Sequence, residues 1–466
     1  MNANLRHQLG HYLPITAWLP SYAREFLRSD IISGVTVWGV MVPVAMAYAQ
    51  MAGMPPQAGL YAAFAALLAY AVFGTSRHLK VTASSTMAVM SAAVVGSIAA
   101  GDVDRYLALT AALALTVGVL LLLAGIARLG FISDFLSKSV VTGFVFGLAI
   151  TIAIGQLPKL FGVPATSGNS FQQLAGLIAE LGQTNPWTLA VGAGALALIF
   201  LVKRLYPRIP AGLVALVLGI LAVTIFDLDQ QGVSIVGAIP TGLPTPGLPH
   251  ISLTDLPFLI TGAVGIVFLA VGESLGSARA FAAKYRYEIN PDQELIALGA
   301  ANLSAGLFRG FTVDASLSST ATADEAGART QLSSIVTSAL IIVTVIALAP
   351  LFYNLPNSVL AAIVIASVIG LMDIAELRRY YASSRVDFGL AMVALLGVIS
   401  TDVLTGLMIA VFLSLLIILY RASRPYVAVL GTAPGQEAAY GDIARHPENL
   451  HVPGLLIVRL DAPYTS

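Results

Sequence analysis

Two short stretches of hydroxyl-bearing residues interrupt an otherwise apolar sequence. The first stretch, Lys80 to Met90, reads KVTASSTMAVM, and the second, Thr312 to Ala323, reads TVDASLSSTATA. Serine and threonine side chains often cap the first turn of a helix, where backbone N–H groups lack intrahelical partners. The same hydroxyl and N–H groups can instead hydrogen-bond an anion. Both stretches are therefore candidates either for helix capping or for anion binding.

The two stretches match each other at a constant offset of 232 positions (313 − 81). An offset close to half of the 466 residues indicates an internal duplication. Matching polar interruptions in the two halves of an apolar chain predict a binding site made from broken helices near the bilayer midplane. The identical pairs are Val81 and Val313, Ala83 and Ala315, and Ser84 and Ser316.

The composition is that of a polytopic membrane protein. Hydrophobic residues make up 57% of the chain and charged residues 10%, with a mean hydropathy of +0.86, whereas soluble domains carry about 25% charged residues. The chain has no cysteine, its six histidines form no metal-ligand cluster, and its formal net charge is zero. We therefore expect no disulfide, thiol chemistry, cofactor, metal site or nucleic-acid partner, and no enzymatic activity.

Fourteen apolar elements follow from the positions of charged and Pro/Gly-rich breaks, because a spanning helix needs about 20 mainly apolar residues. Residues 1–30 before them are predicted to be an interfacial segment, and the soluble composition of residues 425–466 includes one predicted strand, Leu455–Leu460. Elements 1 to 7 are predicted at 31–50, 58–74, 84–99, 104–125, 133–156, 187–203 and 211–226. Elements 8 to 14 are predicted at 256–280, 293–308, 316–325, 331–350, 356–372, 386–401 and 403–420.

Elements 3 and 10 are too short to span a membrane, and extended residues at 79–82 and 311–313 precede them. A helix that begins inside the bilayer leaves unpaired N–H groups and partial positive charge there, which favours an anion. We expect the protein to lie in the inner cell membrane. The distribution of Lys and Arg, together with an even number of spans, predicts that both termini are cytoplasmic.

Three sequence blocks resemble the sulfate permease (SulP) family of anion transporters. They are PVAMAYA at 43–49, AGMPP at 52–56 and NPDQELIALG at 290–299. The resemblance implies an all-α polytopic membrane protein with 14 transmembrane elements in a 7+7 inverted repeat, the fold of the uracil transporter (UraA-like). It also implies a small anion substrate and a homodimer for the full-length protein.

The family resemblance further implies two domains within residues 31–424. A core would comprise elements 1–4 and 8–11, about 31–127 and 256–350, and a gate would comprise elements 5–7 and 12–14, about 128–226 and 355–424. Residues 425–466 resemble the linker and first strand of the family's C-terminal STAS domain, so we expect this region to be the start of a truncated cytoplasmic domain.

The family's anion site is carried over onto residues of elements 1, 3 and 10. Val44 and Tyr48 lie one helical turn apart in element 1, and Ser84 with Ser85 opens element 3. The sequence departs from the family at three places: Val44 replaces a commonly polar residue, Thr82-Ala83 replaces Gly-Pro, and Ser319 replaces a commonly basic Arg. Without that fixed positive charge, helix N-termini and hydroxyls would have to supply more of the binding. The residues matched in element 10 are Ala315, Ser316, Ser318 and Ser319.

Glu273 lies inside the apolar element 8, where a carboxyl group is costly and is a functional candidate. It is predicted to couple transport to protons or to another cation, and Ser277 lies one turn later on the same face. The alternative is an acid at a helix end that contacts water or an Arg. Asp314, Asp324 and Glu325 are predicted to be solvated or capping acids, and Glu294 is predicted to make a structural hydrogen bond.

These observations favour secondary active transport by alternating access, with proton-coupled symport of a carboxylate or dicarboxylate as the first hypothesis. The competing hypotheses are a sulfate or bicarbonate transporter, which could be coupled to Na⁺, and an anion exchanger, channel or voltage-driven motor. The missing Arg disfavours the chloride-handling variants, and Glu273 favours ion coupling.

Overall fold

The computed structural model describes residues 13–461 except 100, 132–137, 207–208, 402, 404, 407, 410–411, 414–415, 418–425, 434–439 and 452–453. Within these residues, eight helices are long and apolar enough to cross a membrane. The helices are α1 (Ile15–Trp18), α2 (Leu27–Met51), α3 (Pro56–Phe73), α4 (Ser85–Gly96), α5 (Val103–Ile126), α6 (Lys138–Phe161), α7 (Ser170–Glu180), α8 (Pro186–Leu205), α9 (Ala211–Phe226), α10 (Leu256–Tyr285), α11 (Pro291–Leu307), α12 (Leu317–Glu325), α13 (Leu332–Val343), α14 (Asn357–Ile369), α15 (Ile374–Ser383) and α16 (Arg385–Ser400).

Helix α13 continues as a π-helical segment, Thr344–Leu348, and a 3₁₀ turn, Ala349–Phe352. The described residues between 403 and 417 are also helical. The strands are β1 (Val81–Thr82), β2 (Asp314–Ala315), β3 (Tyr426–Thr432), β4 (Tyr440–Asp442) and β5 (Ile457–Asp461).

The helices pack as two bundles. Helices α2–α5 contact α10–α13, and helices α6–α9 contact α14–α16; the contacts between the bundles are chiefly those of α2 with α9 and α14. The helices of the first bundle lie in the residue ranges of the predicted core and those of the second in the ranges of the predicted gate. The division into two domains that move relative to each other stays a prediction. We refer to the two bundles as the core bundle and the gate bundle.

Strands β1 and β2 bring the two halves of the core bundle together. They pair antiparallel, with Val81 opposite Ala315 and Thr82 opposite Asp314, and the Ser316 N–H donates to the Lys80 carbonyl at 2.9 Å. Each strand leads directly into a short helix, α4 or α12. Each strand is only two residues long and lies beside the other, so both helix N-termini lie next to this strand pair in the bundle interior.

Buried polar side chains fix this strand pair to its neighbours. The Lys80 ammonium is fully buried and donates to the hydroxyls of Ser333 and Ser334 on α13 at 2.6 and 2.8 Å. The buried Asp30 carboxylate at the start of α2 accepts hydrogen bonds from Thr330 and from the Tyr22 phenol. Burial and the Asp30 charge raise the pKa of Tyr22 to about 12, so this phenol remains a donor.

Glycines permit the close helix crossings inside the core bundle. A Cβ on Gly59 of α3 would lie 1.9 Å from the Ala45 carbonyl oxygen of α2, and a Cβ on Gly306 of α11 would lie 2.8 Å from the Ala111 carbonyl oxygen of α5. No side chain fits in such spaces, so the two helix pairs depend on glycine for their separation.

The structure differs from the sequence prediction in three places. Helices α7 and α15 were not predicted, because their sequences are too polar to pass as apolar spans. The tail contains three strands in the order β4-β3-β5 where the sequence predicts one. Residues 1–12 of the predicted interfacial segment, the start of element 5 (133–137), the end of element 14 (418–420) and residues 421–425 lie outside the described residues.

Candidate functional site

The N-termini of α4 and α12 follow directly from the paired strands β1 and β2, and each leaves backbone donors unpaired. Ser84 caps α4 by accepting from Met87 N–H at 3.2 Å, and Ser316 caps α12 by accepting from Ser319 N–H at 3.2 Å. The two capping residues are 232 positions apart, as the sequence offset requires. In the first turns of α4 and α12, four backbone N–H groups have no hydrogen-bond acceptor among the described residues. They are those of Ser85, Thr86, Leu317 and Ser318.

We call these four N–H groups, with the hydroxyls around them, the anion cradle. Unpaired N–H groups at a helix N-terminus carry the positive end of the helix dipole and attract negative charge. Capping does not exclude anion binding, because each capping hydroxyl occupies only the third N–H of its helix. The sequence left these two roles as alternatives, and the geometry allows both.

Three serine hydroxyls surround the second helix start. The Ser316 hydroxyl contacts those of Ser318 at 3.2 Å and Ser319 at 3.0 Å. Ser318 is exposed and Ser319 is buried, so Ser318 is the more accessible of the two to a ligand. Ala315 is buried, and its N–H is already bound by the Ser274 hydroxyl at 3.0 Å.

Helix α2 forms a further wall of the same site. The Tyr48 side chain is buried, with its hydroxyl facing Ser85 of α4 and Ser367 of α14. Val44 lies one turn earlier and is partly exposed. Tyr48 thus connects the anion cradle to the gate bundle, and Val44 adds an apolar surface where a polar residue is common in the family.

Glu273 of α10 reaches the first turn of α4. Its carboxylate accepts a long hydrogen bond, 3.4 Å, from the Thr86 hydroxyl. The adjacent Ser274 holds β2 through Ala315, so α10 contacts both broken helices. Ser277 is buried one turn further along α10.

Asp314 is the acidic residue whose role the sequence prediction missed. The prediction that it is solvated or capping is wrong, because its side chain is fully buried. The carboxyl group faces Glu273 and Ser84, yet neither of its oxygens has a hydrogen bond of ordinary geometry with a described residue. The pairing of β1 with β2 places this carboxyl group beside the anion cradle, which no local sequence pattern reveals.

Within the described part of the chain, no Lys or Arg is among the charges that act on Glu273 or Asp314 beside the anion cradle. Lys80, the nearest in sequence, donates its hydrogen bonds to α13. The positive potential of the cradle therefore comes from backbone dipoles, as expected from Ser319 at the place of the family's Arg.

Two further acids have structural roles. Glu294 is buried and accepts hydrogen bonds from Tyr70 at 2.6 Å and from Thr75 and Ser76 N–H, which confirms the prediction of a structural hydrogen bond. Asp324 is bonded to the Lys284 ammonium and the Tyr285 phenol. The prediction that Asp324 is solvated or capping is wrong, because this contact joins α12 to α10.

Residues 27–394 match the Sulfate permease family. The chain belongs to this family of membrane transporters. Among its relatives, a probable sulfate transporter of Mycobacterium tuberculosis (strain CDC 1551 / Oshkosh) is 39% identical over 442 residues, which cover 95% of this chain and 79% of the relative.

Solved structures share the fold at lower sequence identity. The murine Solute Carrier 26 family member A9 anion transporter, in its inward-facing state, has a TM-score of 0.84 and 23% identity over 98% of this chain and 79% of that chain. The transmembrane domain of a cyanobacterium bicarbonate transporter, BicA, has a TM-score of 0.73 and 24% identity over 85% and 98%. The predicted all-α, 7+7 inverted-repeat fold of the uracil-transporter type is confirmed.

Proposed function

We propose that this member of the sulfate permease family is a secondary active transporter that carries a carboxylate or dicarboxylate together with protons. The observation that supports it best is the position of two carboxyl groups, Glu273 and Asp314, beside the unpaired N–H groups of the anion cradle. A site of this kind contains donors for an anion and acceptors for a proton within one set of packed helices.

The coupling follows from charge. An anion in the cradle and two ionised carboxyl groups next to it repel one another in a medium of low dielectric constant. Proton uptake by the Glu273–Asp314 pair removes this repulsion, so proton binding and anion binding strengthen each other by the same free energy. Because no Lys or Arg of the described residues is among the charges acting on Glu273 or Asp314, this proton adds charge compensation to that of the backbone dipoles.

Alternating access then requires the core bundle to move relative to the gate bundle. The cradle lies on α4 and α12 of the core bundle, and Tyr48 faces Ser367 of the gate bundle. We expect the substrate to travel with the core bundle while Ser367 exchanges its partner, as in carriers built from inverted repeats.

A second candidate function is the transport of sulfate or bicarbonate with Na⁺ or H⁺. It is supported by the relatives, one described as a probable sulfate transporter and one as a bicarbonate transporter. The oxygen atoms of Glu273, Asp314 and Thr86 are also of the type that Na⁺ prefers, because hard cations bind oxygen ligands.

The experiment is uptake by proteoliposomes of labelled succinate, acetate, sulfate and bicarbonate, each with an inward proton gradient, an inward Na⁺ gradient or neither. Proton symport predicts accumulation of a carboxylate against its gradient only when the proton gradient is present. Glu273→Gln is expected to retain exchange of internal for external substrate while losing accumulation, because an amide cannot release a proton.

Accumulation driven by a Na⁺ gradient alone would show that the coupling ion is Na⁺ and not the proton. Uptake of sulfate or bicarbonate without any carboxylate would favour the second candidate. A Glu273→Gln variant that still accumulates substrate to the wild-type level would overturn the role of Glu273 under either substrate.

We further propose the inner cell membrane as the location, with both termini in the cytoplasm, and a homodimer as the assembly of the full-length protein. Because the chain lacks cysteine, single cysteines placed at Gln230 or Arg286 can be labelled with an impermeant thiol reagent in intact cells. Labelling of Arg286→Cys but not of Gln230→Cys would contradict the orientation, and a monomer mass by light scattering would contradict the dimer.

A further inference from the structure

A cavity of about 500 Å³ lies between the two bundles, away from the anion cradle. It is formed by the C-terminal end of α2, the N-terminal end of α3 and the ends of α6, α8 and α14. Gln50 of its wall is two residues beyond Tyr48 on α2, which is about 3 Å along the helix axis. The cavity therefore lies beside the path that leads from the cradle to one end of the transmembrane domain.

The wall of this cavity is polar, with one positive charge. Lys159, near the end of α6, is the charged residue among the described residues that line it, and its ammonium has neither an ion pair nor a hydrogen bond with a described residue. A partly buried ammonium without an acidic partner creates a positive potential in the space that it faces.

Two buried hydroxyls in the same wall also lack partners. They belong to Thr188 at the start of α8 and Ser358 at the start of α14, and both side chains are almost completely buried. Buried polar atoms in folded proteins nearly always have a hydrogen-bond partner. Both hydroxyl oxygens have almost no accessible surface in this conformation, so they reach the cavity only when their side chains rotate. The unpaired Lys159 ammonium in the same wall points to a negatively charged occupant.

Among the residues that the structure describes, one side-chain hydrogen bond crosses from bundle to bundle at this cavity. Gln50 Nε2 of the core bundle donates to Asn357 Oδ1 of the gate bundle at 2.7 Å. Asn357 is itself fixed by Ser234, through its amide at 2.8 Å and its backbone N–H at 2.9 Å. Any displacement of the core bundle along the gate bundle has to break the Gln50–Asn357 bond and change the shape of the cavity.

We propose that this cavity is a second binding site for a small anion, held by the Lys159 ammonium, which the Thr188 and Ser358 hydroxyls join as donors by rotating about χ1. It is distinct from the anion cradle, because none of its lining residues belongs to α4 or α12. Its use as an entry or exit site rests on the proposed anion transport, whereas anion binding there does not.

The first test measures occupancy without transport. Purified protein in lipid nanodiscs is acylated with a small amine-reactive reagent at constant ionic strength, with increasing sulfate in place of gluconate, and modified lysines are quantified by mass spectrometry. Labelling of Lys159 is expected to fall about tenfold at a sulfate concentration ten times the dissociation constant, because only unoccupied protein reacts. Lys203, at the opposite end of α8, serves as the internal control. Chloride and acetate are compared with sulfate in the same way.

The second test measures the consequence for transport. Lys159→Met is expected to raise KM severalfold, with little change in kcat, for uptake from the side on which the cavity opens, and Lys159→Arg is expected to restore KM. Right-side-out and inside-out vesicles are assayed separately, so that the effect is assigned to one face. Melting temperatures of both variants exclude a folding defect.

Labelling of Lys159 that is independent of all three anions, or a Lys159→Met variant with wild-type KM on both faces, would overturn the second site. These outcomes are separable from a failure of proton symport. If the symport proposal fails, the Glu273→Gln variant accumulates substrate normally, and anion protection of Lys159 is unaffected.

Discussion

Glu273 and Asp314 both belong to the second half of the chain, one on helix α10 and one on strand β2, and their carboxyl groups face each other beside Ser84. Two acids that share one environment do not titrate independently. Substitutions of either should therefore act on the same proton.

The variant Asp314→Asn tests whether the two carboxyl groups act together. We expect this variant to lose proton-driven accumulation, as Glu273→Gln does, because either substitution removes one member of the pair. The double variant should be no worse than the more damaged single variant, since residues that act as a unit have non-additive effects. Accumulation ratios for the four proteins in one proteoliposome preparation measure this. Additive losses would show that the two acids bind separate protons.

Ser318 tests the cradle itself. Ser318→Trp is expected to abolish transport, because the bulky side chain would fill the space in front of the unpaired N–H groups of α12. Ser318→Ala keeps those N–H groups and should lower kcat/KM by about fivefold or less, in line with the loss of one hydrogen bond worth about 1 kcal/mol. Initial rates and melting temperatures are measured for both. Wild-type rates in Ser318→Trp would place the substrate elsewhere.

Among the elements, the broken helices are positioned by contacts that lie far apart in the sequence. Strand β1 contacts β2, Lys80 contacts α13, and Ser274 of α10 contacts β2. The separation of the helices around them depends on small residues. The start of α3 can approach α2 because residue 59 has no side chain.

Gly59→Ala is the prediction for this crossing. The added Cβ would lie 1.9 Å from the Ala45 carbonyl oxygen, and a backbone atom of a packed helix cannot move away freely. We expect a lower melting temperature in detergent, with a destabilisation of roughly 1–3 kcal/mol from overpacking. The matched control is Gly194→Ala in α8, where no atom lies within 4 Å of the new Cβ. That variant should be unchanged or more stable, because Ala is the better helix former. Equal melting temperatures for the two variants would contradict the close crossing.

For the whole molecule, transport by alternating access depends on relative motion of the two bundles. The Gln50–Asn357 contact joins them at the cavity of Lys159. A covalent bond at this place should hold the protein in one state, while a covalent bond within a single bundle should not.

The chain contains no cysteine, so the variant Gln50→Cys/Asn357→Cys can be cross-linked without background. We expect a short thiol cross-linker or oxidation to reduce uptake to the level of empty liposomes, and reduction of the disulfide to restore it. The control is Thr224→Cys/Asn354→Cys, at a 2.9 Å hydrogen bond within the gate bundle, which should transport normally after cross-linking. Full activity in the cross-linked first variant would exclude motion at this contact.

Much of the fold could be predicted from the sequence, because a segment that crosses the bilayer has to be apolar along its length, and this is visible in a short stretch of sequence. The run 104–125 is apolar over a membrane-spanning length and corresponds closely to helix α5. The shorter apolar run 211–226 coincides with helix α9. The offset of 232 likewise identified Ser84 and Ser316, which cap the two broken helices at equivalent positions. Helices α7 and α15 were missed because the rule for apolar spans does not apply to them.

The amino-acid order alone is enough to predict a duplicated membrane protein with two helix N-termini inside its core and an acid, Glu273, in an apolar span. The packing of the helices was needed to find that Asp314 is the partner of Glu273, that Lys80 points away from the site, and that Lys159 lines a cavity between the bundles. The physical reason is that hydropathy and capping depend on neighbours in the sequence. Burial of a carboxyl group or isolation of an ammonium depends instead on which distant helices pack around it.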